Sequence, residues 1–221
     1  FDYSRDGGCT WVDGGVLPGF TSKGLVSDIS FAFGPSERVY AATLFTGRNT
    51  PESGIAVSTS RDGGRTFGAP TVVFDDPSGR VFSDKPWIAV DNTSGSTRGN
   101  VYVVWSYDYG TGCGAGNPCY EELAFSRSTD GGATFSPVKL VEGAAPFCTN
   151  AVPTRPATSR RCDAALGATP TVEPNGSLAV AFAYMDIAAG FPGHSFIPTK
   201  MAVITSANGG QTWTAPVLVA S

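Results

Sequence analysis

The chain is poor in charge: Asp, Glu, Lys and Arg make up only 15% of its 221 residues, and it has a single histidine. So few charges argue against charged disorder and against a helical bundle. No apolar stretch approaches the roughly 20 residues of a membrane-spanning helix, so no membrane span is expected. The formal net charge of −4 gives no general attraction to nucleic acid or anionic lipid, which leaves only a local basic patch for such partners.

Glycine and proline, in contrast, are abundant, at 28 and 16 residues. This balance suits many short strands joined by tight turns and favours an all-β fold. At this length the chain is able to bury a sizeable core as one domain or as a small repeat array.

One phrase occurs four times with the form Ser-x-Asp-Gly-Gly-x-Thr-aromatic, and its serines are 56, 68 and 78 residues apart. Asp-Gly-Gly is turn chemistry, because glycine reaches positive φ without steric cost and Asp hydrogen-bonds to nearby backbone. The Ser and Thr are expected to close further hydrogen bonds to the turn. The third position is occupied by Asp6, Asp62, Asp130 and Asn208.

This phrase strongly resembles the Asp-box, or bacterial neuraminidase repeat, of sialidases and related β-propellers. The resemblance implies a β-propeller of four-stranded antiparallel blades in a sialidase-like superfamily. It also implies that the four turns are structural and lie at the rim, away from any ligand. The opposite face would then carry the long loops, which are predicted at 74–84, 107–122, 141–163 and 185–200.

Strand-like runs divide the chain into one propeller domain or fragment, 1–221, of about three and a half blades. Propellers usually close with four to eight blades. An open arc would expose strand edges, so a closed ring requires missing or partner blades. Phe1-Asp2-Tyr3 is not a signal sequence, and we expect a mature chain, a fragment, or one part of an assembly with another copy. The predicted parts are 1–17 (last strands of a blade) and three blades at 27–74, 83–141 and 162–221.

Five cysteines predict two loop disulfides, Cys113 with Cys119 and Cys148 with Cys162, and leave Cys9 unpaired. Neither pair has the Cys-x-x-Cys spacing of a zinc site. Disulfides indicate an oxidising compartment and therefore secretion. The alternative is free buried thiols in a cytosolic protein.

Three acidic residues, Asp28, Asp84 and Asp163, are expected at equivalent places where the inner strands begin. There they would ring the central opening and bind a sugar hydroxyl, an amine or a cation, or each would simply fix its own loop. Arg80 and Lys85 flank Asp84 and would hold an acidic substrate group, unless they are ordinary solvated charges.

A second candidate group crowds one predicted loop. Aromatic faces beside carboxylates are suited to a sugar-binding cleft, although the same residues would also pack a disulfide-pinned loop on itself. Because alternate strand residues share a face, Tyr120 with Glu122 is the one pairing that resembles a sialidase nucleophile pair. The group consists of Tyr107, Asp108, Tyr109, Tyr120, Glu121 and Glu122.

The resemblance supports no catalytic assignment. Sialidases combine three arginines, a tyrosine nucleophile paired with glutamate, an Asp acid/base and an early Arg-Ile-Pro motif. This sequence has no Arg-Ile-Pro, and Phe196-Ile197-Pro198 lacks the arginine. His194 has no neighbours at metal-ligand spacing, and no metal or other cofactor is predicted. Carboxylate-rich loops could hold calcium, but no Asp-x-Asp-x-Asp-Gly run supports it.

The sequence therefore predicts a secreted propeller that recognises carbohydrate, as a glycan or glycoprotein, on the loop face opposite the Asp-boxes. The first alternative is an exo-glycosidase of sialidase type with most catalytic residues outside this segment. The second is a non-catalytic protein-interaction scaffold.

Overall fold

The computed structural model describes residues 1–109, 120–148, 160–185 and 198–220, with only the backbone of Tyr120, Pro198 and Thr199. In these ranges the regular secondary structure is entirely β-strand. They contain no helix that is long and apolar enough to cross a membrane.

The strands form an N-terminal hairpin and three four-stranded antiparallel sheets, each with its strands in chain order. The hairpin contains β1 (Asp2–Tyr3) and β2 (Val12–Asp13). The first sheet contains β3 (Lys23–Phe33), β4 (Val39–Gly47), β5 (Ser53–Ser60) and β6 (Thr71–Asp76). The second contains β7 (Val81–Val90), β8 (Val101–Tyr109), β9 (Tyr120–Ser128) and β10 (Lys139–Leu140). The third contains β11 (Ala165–Val172), β12 (Leu178–Met185), β13 (Pro198–Ser206) and β14 (Val217–Ala220).

The sheets stack in chain order and bury one apolar core in each gap. Trp105 and Tyr40 are fully buried between the first and second sheets. Phe125 and Phe182 are fully buried between the second and third. The first strands of successive sheets contact one another, β3 with β7 and β7 with β11. The predicted four-stranded antiparallel units, about three and a half in number, are therefore confirmed.

The turn at Asp6 joins the two strands of the hairpin, and the three later turns each join the third strand of a sheet to the fourth. Three of these turns contain Asp-Gly-Gly and the last contains Asn-Gly-Gly, and all four share one hydrogen-bond pattern. In the turn after β5, the Ser60 hydroxyl accepts a bond from Gly64 N (2.9 Å) and donates to Asp62 Oδ1 (2.7 Å). Thr66 donates its backbone N–H to Asp62 Oδ1 and its hydroxyl to Oδ2. These hydrogen bonds hold the pKa of Asp62 well below its usual value, with the Thr66 hydroxyl contributing most.

Asn208 preserves this pattern in the last turn by reversing one donor. Its Oδ1 accepts the backbone N–H of Thr212 (2.9 Å), as an aspartate oxygen would. Its Nδ2 cannot accept the Thr212 hydroxyl proton and instead donates to Oγ1 (2.8 Å). An amide therefore satisfies the same turn as a carboxylate.

The connection between β6 and β7 differs from the sequence prediction. A long loop was expected over 74–84, but both strands extend into it and leave only residues 77–80 as a turn. The Asp76 carboxylate closes this turn by accepting bonds from the backbone N–H of Ser78 (2.9 Å) and of Val81 (2.8 Å). Arg80 is exposed in this turn.

One predicted disulfide is present, and the other lies outside the described residues. Cys148 and Cys162 are fully buried and bonded, with their Cα atoms 5.1 Å apart. Both belong to the core between the second and third sheets. Cys9 is exposed and free, while Cys113 and Cys119 fall outside the described ranges.

We expect the free energy of unfolding of the variant Cys148→Ala/Cys162→Ala to be about 3 kcal/mol lower than that of the unmodified chain. The bond closes a loop with a sequence separation of 14, and its loss frees the unfolded chain. Urea denaturation measures the change. Cys9→Ser, at an exposed thiol, is the control and should stay within about 0.5 kcal/mol. Equal stability of the double variant and the control would show that the bond does not constrain the fold.

Candidate functional site

The loop end is the end of the second sheet opposite its Asp-Gly-Gly turn, where β7 begins, β8 ends and β9 begins. The backbone register there pairs Asp108 with both Phe82 and Glu121. It also pairs Tyr107 with Glu122. Because side chains alternate along a strand, these two rows lie on opposite faces of the sheet. The structure therefore divides the crowded group of predicted residues into two sets.

Asp108 and Glu121 form the first set. Directly opposite residues on antiparallel strands have Cβ atoms about 4.5–5.5 Å apart. Asp108 Oδ1 and Glu121 Oε2 are both buried and have no hydrogen-bond partner among the described residues. Burial, with the Glu121 and Asp84 charges adding to it, raises the pKa of Asp108 to about 8. Burial likewise raises the pKa of Glu121 to about 7, although the Lys85 ammonium opposes it.

Lys85 is the cation of this set and forms an ion pair with Asp84. Burial lowers the pKa of Lys85, but the hydrogen bond from its ammonium to Asp84 and the charges of Asp84, Asp28 and Asp108 outweigh burial, so the pKa is raised. A permanent positive charge thus lies among four carboxyl groups, those of Asp28, Asp84, Asp108 and Glu121.

The second set, on the other face, contains an internal ion-pair group. Arg161 Nη2 binds the fully buried Glu142 and lies 3.9 Å from Glu122 Oε1, which is also buried. Burial raises the pKa of Glu142 to about 7 although Arg161 opposes it. Tyr107 packs its ring 5.4 Å from that of Phe74, and burial raises the pKa of its hydroxyl. The ion-pair group links the connection after β10 to β9, whereas Tyr107 packs against the first sheet.

The predicted equivalence of Asp28, Asp84 and Asp163 is wrong. Each first strand contains a bulge where the register to the second strand shifts. The residues with positive φ in these bulges are Asp28 (50°), Lys85 (48°) and Gly167 (65°). Asp84 therefore precedes its bulge residue by one position, and Asp163 by four. A spacing along the chain could not reveal this, because bulges leave no clear sequence signal.

Asp163 lies before β11 and is buried. Its backbone carbonyl accepts a hydrogen bond from Glu121 N (3.3 Å), so it ties the third sheet to the loop end. Tyr109 is 46% exposed at the end of β8. Tyr120, whose side chain is not described, begins β9 opposite Tyr109. His194 lies outside the described residues.

A cleft of about 400 Å³ lies between β3 and β7, next to the first set of residues. Its lining includes Asp28 and Lys85, which connect it to the carboxyl pair. Trp87 and Phe31 contribute aromatic rings, and each side chain is 46% exposed. Sequence reasoning had named Asp108 and Glu121 only as members of the crowded group and had not named Trp87, because only the strand register shows which side chains share a face.

The arrangement offers hydrogen-bonding groups beside exposed aromatic surface. No group of three or more His, Cys, Asp or Glu side chains in the described ranges is arranged to hold a metal ion. A carboxyl that binds a proton near neutral pH both donates and accepts hydrogen bonds. The chemistry available is thus the binding of polar groups and the transfer of a proton.

Comparison with solved structures shows the architecture. A Hadza microbial sialidase superimposes with a TM-score of 0.59 over 85% of this chain, at 18% identity. The NanB sialidase of Streptococcus pneumoniae gives 0.58 over 92%, at 10% identity. An α-L-arabinanase of Penicillium chrysogenum, complexed with arabinobiose, gives 0.54 over the whole chain, at 13% identity. The chain has a sialidase-like β-propeller fold.

This propeller spans 36%, 45% and 54% of the lengths of those three proteins. At such low identity the similarity concerns the fold alone. No family model matches the sequence, and no curated protein does.

Proposed function

We propose that the propeller recognises carbohydrate at the loop end of its second sheet. The observation that carries this proposal is the pair of carboxyl oxygens, Asp108 Oδ1 and Glu121 Oε2, buried without a partner on facing strands. A buried polar atom without a hydrogen bond costs about 1–3 kcal/mol, so the site is built to gain from a ligand that supplies one. Sugar hydroxyls supply such bonds.

Raised pKa values fit the same ligand class. With pKa values of about 8 and 7, Asp108 and Glu121 retain protons near neutral pH. A protonated carboxyl donates and accepts, as does a hydroxyl group, so the two are matched in both directions. Phe82, in the same row and 44% exposed, adds apolar surface for the face of a sugar ring. The propellers with similar folds include a sialidase and an arabinanase, which agrees with a carbohydrate ligand.

We further propose that the three Asp-Gly-Gly turns and the Asn-Gly-Gly turn are Asp-boxes and that the protein is secreted. The common bonding pattern of the turns and the Cys148–Cys162 disulfide support these two proposals.

Phe33 on β3 and Val219 on β14 are 70% and 64% exposed, on the first and last sheets. Further blades of the same protein, or of another copy, would cover such surfaces.

A glycosidase is the second candidate function. General acid catalysis needs a carboxyl that holds its proton near the working pH, and glycosidases of the usual plan use two carboxyl groups. The Asp108–Glu121 pair meets the first requirement. Turnover of a fluorogenic glycoside that is abolished in Asp108→Asn would favour this candidate over binding alone.

We expect Asp108→Ala/Glu121→Ala to weaken glycan binding at least tenfold, because two ligand hydrogen bonds of about 1 kcal/mol or more are lost. A glycan array identifies the ligand, and calorimetry compares the variants. Glu173→Gln is the matched control, since this exposed residue lies at the opposite end of the third sheet. Unchanged affinity in the double variant, with the fold intact by circular dichroism, would place recognition elsewhere.

A further inference from the structure

The residue at the bulge of each first strand has a backbone conformation that favours glycine, yet two of the three sheets have a charged residue there. Asp28 and Lys85 have φ values of 50° and 48°, whereas the corresponding residue of the third sheet, Gly167, has 65°. Glycine adopts such values freely, aspartate adopts them at a smaller cost than most residues, and lysine is strained there. The third sheet thus uses the residue suited to the bulge, while the first two sheets use charged ones. Strain of this kind is concentrated at functional sites.

Both strained side chains line the same cleft. Asp28 and Lys85 lie in the 400 Å³ space between β3 and β7, beside the rings of Trp87 and Phe31. Ser30 also lines it, and its hydroxyl oxygen is buried without a hydrogen-bond partner among the described residues. The cleft therefore combines aromatic surface, two charges and an unpartnered hydroxyl.

The net charge of the cleft taken together with the Asp108–Glu121 pair is negative. The Lys85 ammonium acts on the carboxyls of Asp108 and Glu121, and the charges of Asp84, Asp28 and Asp108 act on Lys85. Even when Asp108 and Glu121 are both protonated, two carboxylates face one ammonium, and that ammonium is paired with Asp84. A ligand carboxylate would enter this field against repulsion, whereas an uncharged ring would not.

We propose that the cleft between β3 and β7 binds an uncharged sugar ring, stacked on Trp87 and hydrogen-bonded by Asp28 and Ser30, and that it excludes sugar acids. This inference rests on the proposed carbohydrate recognition and specifies its ligand class. Lys85 holds the cleft and the carboxyl pair together, so one oligosaccharide spans both. Strain at Asp28 is maintained because its carboxylate contacts the ligand.

The test uses matched oligosaccharides and a substitution that relieves strain. The probes are lactose with sialyllactose, and xylotriose with its glucuronic-acid-bearing form. The key variant is Asp28→Gly, which removes the carboxylate and suits the backbone. Gly167→Asp is the control: it introduces the same strain where open space surrounds the position. Trp87→Ala tests stacking.

We expect the uncharged member of a pair to bind at least tenfold more tightly than its acidic partner. Asp28→Gly should unfold at the same or a higher temperature and bind at least fivefold more weakly, as should Trp87→Ala. Gly167→Asp should unfold at a lower temperature and bind normally.

Three results would overturn the inference. Normal binding in both Asp28→Gly and Trp87→Ala would place the sugar outside the cleft while leaving carbohydrate recognition in place. Tighter binding of the acidic probes would contradict an uncharged ligand while leaving carbohydrate recognition in place. Failure of all four probes and of a broader glycan array would remove the proposed function and this inference together.

Discussion

Replacing Gly210 with alanine is expected to destabilise the protein by about 2 kcal/mol more than replacing Gly64. Gly210 is the second glycine of the Asn-Gly-Gly turn and Gly64 that of an Asp-Gly-Gly turn, and their φ values of 83° and 89° make the backbone strain equal. A Cβ atom on Gly210 would overlap the ring of Phe125 in the preceding sheet. On Gly64 the nearest atom would be Cγ2 of Val39, at 3.6 Å. Overpacking of this kind typically costs about 1–3 kcal/mol.

Urea denaturation of Gly210→Ala and Gly64→Ala measures this difference, and each variant is the control for the other. The physical reason is that the turns of the second and third sheets pack against the preceding sheet. Arg127 supports this, because its guanidinium donates to the carbonyl of Gly209 (2.7 Å). Arg38 donates to the Gly131 carbonyl (3.1 Å) in the same way. Equal destabilisation of the two variants would show that the turns do not pack between sheets.

The second large effect is a loss of stability as pH rises from 5 to 8. Asp108 and Glu121 have raised pKa values in the folded protein, so the folded state binds more protons than the unfolded chain in this range. The free energy of unfolding therefore falls with pH until these two groups, and Glu142 with its similarly raised pKa, have ionised. Since one pKa unit corresponds to about 1.4 kcal/mol, we expect a loss of at least about 2 kcal/mol.

Asp108→Asn should reduce this slope, because the amide does not titrate. Midpoints of urea denaturation at pH 5 and pH 8 for the two proteins test the expectation. The contribution of Asp130 to stability has the opposite pH dependence. Hydrogen bonds, of which that from the Thr134 hydroxyl contributes most, lower its pKa to about 2, so its stabilisation is lost only as pH falls toward that value. An Asp108→Asn profile that coincides with the unmodified profile would contradict the buried, protonated state of Asp108.

The architecture was accessible from the sequence because its signal is repeated. Four copies of one turn phrase fix where the third strand of each unit ends, and the strand runs between them supply the rest. The turn chemistry is local: Ser60, Asp62 and Thr66 bond to one another within seven residues. Local, repeated features of this type need no knowledge of the fold.

The site was less accessible because it depends on register. Tyr107 and Asp108 are neighbours in the chain, yet they face different cores. Sequence reasoning named the crowded group but could not separate its two faces. It also aligned Asp28 with Asp84, since a one-residue bulge offset has no signature in the sequence. The cleft beside Trp87 is lined by residues 28–31 and 85–87, which are more than 50 residues apart in the chain.

The most direct test of carbohydrate recognition at the loop end is an NMR titration of the isotope-labelled protein with the best-binding glycan. We expect the amide signals of Asp108, Glu121 and Lys85 to shift, and the side-chain carboxyl signals of Asp108 and Glu121 to shift with them. The signals of Gly63, Gly131 and Gly209, in the turns at the opposite end, should stay in place. Shifts confined to those glycines, or no shifts at the carboxyl pair, would contradict it.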